Sequence, residues 1–251
     1  MSEHVITIAR RYCGPPNSAN GGYAAGSLAR FIDGAAEVTL HRPPPLDTLL
    51  RVVTTDESAD LFDGDTLVAT AVATDVRIAA IDAPEGREAA DAAGRTFPPD
   101  AHELPTCFVC GPLRDHGDGL RLHVGPVDPA DTDWNGVLAA PWVPDGDFGG
   151  NDGQVRPEIV WAALDCPTAY ACGNGGGMPA ILLGRQSVSI FRRPAIGEAC
   201  VVAAQYRGQE RRKHFSDATL TGPGGEVLAI CKTTWIEVSD AVLKGEGPQR
   251  A

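Results

Sequence analysis

Apolar positions along the chain fall into two series with the same order. Residues 5–9 alternate and predict a short strand. Residues 20–32 carry Tyr23, Leu28, Phe31 and Ile32 among small residues and predict a helix, with a cap at Asn17 or Ser18 after the Gly14-Pro15-Pro16 turn. Strands are predicted at 36–41, 49–54, 58–62 and 66–78, the last pair joined across the turn signal Asp63-Gly64-Asp65. The second series predicts strands at 119–124 and 137–142 and a helix over 157–172. Strands at 186–192, 199–206, 214–221 and 226–238 follow, with Gly222-Pro223-Gly224-Gly225 as a turn. The stretch Ile159-Val160-Trp161-Ala162-Ala163-Leu164 is apolar all round, the pattern of a helix covered on every side.

The two series are copies. Val38, Leu40, Arg42, Pro44 and Leu46 fall on Val188, Ile190, Arg192, Pro194 and Ile196 at an offset of 150. The match resumes, slipped by ten, where Gly64 to Ala69 meets Gly224 to Ala229. A duplicated helix-plus-sheet unit implies an α+β pseudo-dimer with a cleft between copies. The expected division is a first unit over 1–82, a Pro- and Ala-rich linker over 83–105, a second unit over 106–240 and a disordered tail over 241–251.

Charge narrows the choice of partner. The 251 residues carry a formal charge of −12, which argues against nucleic acid or an anionic membrane. The start Met1-Ser2-Glu3-His4 lacks the basic and apolar regions of a secretion signal, and no apolar run is long enough to span a bilayer. Seven cysteines, an odd number, then read as reduced thiols in a cytoplasmic protein.

The residues resemble the hotdog-fold acyl-CoA thioesterase superfamily in its tandem, double-hotdog form. Asn20-Gly21-Gly22-Tyr23-Ala24-Ala25 resembles the family's helix start, and residues 159–171, centred on Leu164-Asp165, resemble its catalytic helix. Cys107-Phe108-Val109-Cys110-Gly111-Pro112 and Gly119-Leu120-Arg121-Leu122 are similar to the opening of the phenylacetate-type thioesterase branch. The resemblance implies two fused hotdog units, each a sheet wrapped around a central helix. It also implies hydrolysis of an acyl-CoA thioester by water without a cofactor. The chain departs from the family where a His-Gly-Gly is usual: Asn20-Gly21-Gly22 stands in the first half and Arg156-Pro157-Glu158 in the second. The acid expected nine positions on is Ala29 in the first half and Asp165 in the second.

The chemistry therefore divides between the copies. Asp165 lies mid-helix among apolar residues, where a carboxylate is costly unless paired or used, and the resemblance casts it as a general base or nucleophile. Gly21 and Gly22 weaken a helix start. Either a ligand approaches the backbone amides there as at an oxyanion hole, or the helix packs tightly. Asn20 is expected to position a carbonyl or a water, and Tyr23 to line the substrate site. Glu158 is the rival acid. The resemblance implies that the glycines of one half and the acid of the other meet in one working site; the mirror site pairs Pro157 with Ala29 and is expected to be dead. Arg192, Arg193 and Lys213, with Arg211, Arg212 and His214, form a positive cluster suited to the phosphates of coenzyme A.

Other readings are weaker. Cys107 and Cys110 with His116 and His123 are loosely spaced for zinc, and one CxxC supplies half of a four-ligand site, so packed thiols and no metal are expected. Pro167 is expected to bend its helix. The glycine-rich stretches at 145–153 and 173–177 lack the context of a nucleotide loop and read as mobile loops. A non-catalytic acyl-CoA binding module and a hotdog enoyl-CoA hydratase remain as alternatives. The latter wants an Asp and His pair near a helix start, and all six histidines lie outside the two helices. The tandem arrangement leaves room for a homodimer of tandem units.

Overall fold

The computed structural model describes residues 1–96, 102–173 and 180–245. The first copy contains β1 (Ser2–Ile6), α1 (Gly21–Ala29), β2 (Ala36–Leu40), β3 (Leu50–Thr54), β4 (Ser58–Asp63) and β5 (Thr66–Ala73). After α2 (Gly86–Ala93) and β6 (Gly125–Pro126), the second copy contains β7 (Val137–Trp142), α3 (Pro157–Ala163), α4 (Cys166–Ala171) and β8 (Ile181–Ile190). It closes with β9 (Cys200–Glu210), β10 (Lys213–Thr221), β11 (Val227–Glu237) and a final turn of helix, α5 (Asp240–Leu243).

All strands join one antiparallel sheet in the order β1-β3-β4-β5-β2-β8-β11-β10-β9-β7-β6. Read outward from the middle, β2-β5-β4-β3-β1 matches β8-β11-β10-β9-β7. The repeat seen in the sequence is thus an internal pseudo-two-fold. Its axis can be placed to a residue. In the seam, Ala36 pairs with Val188, Glu37 with Ser187 and Val38 with Gln186. Glu37 and Ser187 are separated by the repeat offset of 150, so they are equivalent positions facing each other across the axis. Their side chains also meet, Ser187 Oγ donating to Glu37 Oε2 at 2.9 Å.

The helices lie against one another in the core. α1 is buried over residues 22–29, and every residue of α3 from Ile159 to Ala163 is buried. Small residues permit that approach: a Cβ on Gly26 would sit 2.7 Å from the Glu158 Cα and the Trp161 Cβ. No helix among the described residues is long and apolar enough to cross a membrane.

Several sequence expectations need correction. Residues 119–124 form no strand; Leu120 and Leu122 instead donate backbone hydrogen bonds to Phe108 and Val109, tying the segment to the cysteine turn. The strand expected to reach residue 78 stops at Ala73, opposite Ala36, the first residue of its antiparallel partner β2. Within the expected linker, α2 has an apolar face: Ala89 and Ala92 are fully buried against Ala139 and Val201. Two methyl groups suffice because the neighbouring sheet residues are small as well. The stretch at 145–153 carries Phe148, which is 2% exposed and anchors it in the core. Leu243 is likewise buried, so the segment after 240 begins as packed helix; the remainder of the expected disordered tail, 246–251, and residues 174–177 of the second glycine-rich stretch lie outside the described residues.

Candidate active site

The second helix is broken where the acid sits. α3 ends at Ala163 and α4 begins at Cys166, with Asp165 as its N-cap residue and Pro167 in its first turn. Pro167 has no N–H to offer, and the Asp165 N–H turns back to the Ala162 carbonyl at 3.0 Å. Side chains take up carbonyls at the break. Gln186 Nε2, from the seam strand, donates to the Trp161 carbonyl at 3.0 Å, and Thr168 donates to the Asp165 carbonyl through its N–H and its Oγ1. Trp235 Nε1 donates to Thr168 Oγ1 at 3.0 Å and fixes α4 to β11. The break is therefore a built feature, and it swings the Asp165 side chain toward the first copy.

There it meets the start of α1. Asn20 is the N-cap, in place of the expected Asn17 or Ser18: its Oδ1 accepts from the Tyr23 N–H at 2.9 Å. Its Nδ2 donates to Asp165 Oδ2 at 2.6 Å, and the Gly22 N–H donates to the same oxygen at 3.1 Å. A Cβ on Gly22 would lie 2.5 Å from the Asp165 Cβ, so only glycine admits the acid at this point. The second carboxylate oxygen, Oδ1, is buried with no hydrogen-bond partner among the described residues. Burial pushes the Asp165 carboxyl up to about 7; the Gly22 amide opposes that rise, the Cys107 thiol adds to it and Asn20 opposes it.

Asp165, Asn20 and Gly21 line a cavity of about 410 Å³. Its apolar wall includes Leu40, Ile181, Leu183 and Trp235. Gly21 sits at the first position of α1, and its amide has no backbone or side-chain acceptor among the described residues. The donor roles are thus redistributed from the sequence reading. Gly22 and Asn20 hold the acid rather than a substrate, and Gly21 carries the amide left over at the helix N-terminus.

Other expected residues lie elsewhere. Tyr23 stacks on Tyr12 with ring centroids 3.9 Å apart, and Glu158 lies 3.6 Å from Arg156. Arg156 in turn donates to Tyr12 Oη at 3.2 Å, so the start of α3, the counterpart of Asn20-Gly21-Gly22, is held in a packed Tyr–Tyr–Arg–Glu group. Arg192 is tied to Glu198 and Glu226, and Arg193 to Asp152. Neither they nor Lys213 line the cavity; Arg42 and His41 do. Sequence reasoning also missed His102, which lines the cavity from the supposed linker with a buried Nε2 that meets no hydrogen-bond partner among the described residues. Nothing in its spacing relates it to Asp165.

No protein-family model and no curated protein matches the sequence. Solved structures do resemble it over nearly the whole chain. A tesB protein of Mycobacterium avium subspecies paratuberculosis aligns at TM-score 0.62 and 13% identity, covering 94% of this chain and 93% of that one. A conserved protein of unknown function with a hot dog fold from Alicyclobacillus acidocaldarius gives the same TM-score, identity and coverage. The fold is a double hotdog. The acyl-CoA thioesterase II TesB2 of Mycobacterium marinum aligns over 94% of this chain and 93% of its own, at TM-score 0.60 and 12% identity. In this double hotdog the acid of one unit and the helix start of the other share one crevice.

Proposed function

We propose that this protein hydrolyses acyl-CoA thioesters at the Asp165 site. The observation that carries the reading is a buried carboxylate from one unit, held on one oxygen by Asn20 and Gly22 of the other, at the wall of a largely apolar cavity. The geometry suits general-base catalysis. Asn20 and Gly22 fix Oδ2, which leaves Oδ1 to take a proton from water. The Gly21 amide, at the positive end of α1, stabilises the charge that develops on the thioester carbonyl oxygen. The apolar wall takes the acyl chain, and His41 and Arg42, which line the same cavity, are the side chains suited to coenzyme A phosphates. The same carboxylate placed against the carbonyl carbon would act as nucleophile, with water consumed in a second step. The double-hotdog relatives whose names record a thioesterase support the reaction class.

The experiment is release of free thiol from a series of acyl-CoAs of increasing chain length by the full chain. Stoichiometric thiol and carboxylic acid, with turnover, support hydrolysis. Saturable binding of the same compounds without thiol release contradicts it and leaves a binding module.

A further inference from the structure

Three cysteines meet at the edge of this cavity, and hydrolysis makes no use of them. Cys107 and Cys110 come from the turn that opens the second copy, and Cys166 is the residue after Asp165. All three are buried, and their sulfurs lie within 4.8 Å of one another. Cys107 Sγ and Cys166 Sγ are 3.7 Å apart. Ligands about 2.3 Å from a tetrahedral zinc stand about 3.8 Å from each other, so this pair already has the spacing of a tetrahedral edge.

The turn is built as a metal-binding turn would be. The backbone amides of Val109 and Cys110 face the Cys107 sulfur, the outer donors that hold a thiolate ligand in place. Gly111 follows the second cysteine and donates its N–H to the Cys107 carbonyl at 2.9 Å. A Cβ there would fall 2.5 to 2.6 Å from backbone atoms of Cys107 and Pro105, so the tight return of the chain admits no side chain. His116, part of the looser site weighed from sequence, is exposed and outside the group. Cys166, invisible as a partner because it lies 56 positions beyond Cys110, replaces it.

We propose that Cys107, Cys110 and Cys166 bind a Zn²⁺ ion, with a fourth coordination position open to the cavity that all three line. Soft thiolates select a thiophilic cation of this kind. Binding exchanges three thiol protons for the metal. The ion staples the turn at 107–111 to the break between α3 and α4, and so fixes the backbone from which Asp165 projects. The inference stands apart from the hydrolase reading, because it rests on the cysteine cluster and its turn and on no step of the hydrolysis.

The test is titration of the reduced, chelator-treated full chain with Co²⁺, followed by displacement with Zn²⁺. The expected result is a thiolate-to-cobalt charge-transfer band that saturates at one equivalent, has tetrahedral ligand-field bands beside it and is bleached by Zn²⁺. Cys107→Ser, Cys110→Ser and Cys166→Ser should each lose or weaken the band, while Cys200→Ala, at the start of β9, should keep it. Since a variant at a buried cysteine can unfold, the unaltered chain decides by itself. Failure of the reduced protein to develop the band overturns the proposal. So does a band that survives in all three serine variants.

Discussion

At Gly22 the missing side chain decides where a carboxylate can sit. The sequence shows two glycines in a first helical turn, and close approach of some group is the correct physical reading. The approaching group is the Asp165 side chain of the other copy. That identity was not legible, because it depends on how two distant helices pack. Gly22→Ala must displace the Asp165 Cβ or the Trp161 carbonyl, both within 2.8 Å of the new methyl. We expect a loss of about 2 kcal/mol in stability, the range for forcing a methyl into a filled core, read as a lower urea midpoint at unchanged m. Gly146→Ala meets nothing within 4 Å and should leave the midpoint unchanged. Asn20 shows the same limit of sequence reasoning. Its type marks it as a cap and a polar neighbour of the site, but both ends of its amide are taken, one by the Tyr23 N–H and one by Asp165.

Among the elements, strands were more legible than their ends. Alternation placed β2, β3 and β4 within a residue or so, because each buries one face, and β7, β10 and β11, buried nearly throughout, were placed as closely by apolar runs between turns. The matched segments at 38 and 188 proved to be the two strands that pair at the seam, which the repeat alone does not dictate. The positive cluster was misjudged for an electrostatic reason. On an acidic chain most surface cations find carboxylates, and Arg192 finds two, Glu198 and Glu226, joining the ends of β8 and β11. Hydrogen bonds from Arg192 hold the Glu198 carboxyl below its ordinary value, and the backbone together with Arg192 does the same for Glu226. A carboxyl with a depressed folded pKa contributes stability that is full above its ordinary value of 4.5 and lost as pH falls through the folded value. The Tm difference between the protein and Arg192→Met should therefore be present at neutral pH and close on acidification below that point. A constant gap down to strongly acid pH would show that the cluster stabilises by packing alone.

For the whole molecule, duplication and the α+β class were readable from residue types at matched positions. What was not readable is how tightly the copies are fused. One sheet runs through both, α1 packs on α3, and the linker helix α2 lies on β7. Neither copy keeps its core once the other unfolds, so calorimetry should show one transition with a van't Hoff enthalpy matching the calorimetric one. Two separated transitions would show that the units are independent domains. The central claim is that a carboxylate from one copy, held by the other, is the base of a single site. Its most direct measurement is kcat/KM of Asp165→Asn on the best acyl-CoA found, beside Glu158→Gln from the mirror position. Asp165→Asn should lose at least about 100-fold, with its Tm held or raised because a buried carboxylate is gone, and Glu158→Gln should change by only about a few-fold. Undiminished turnover by a folded Asp165→Asn protein would contradict it.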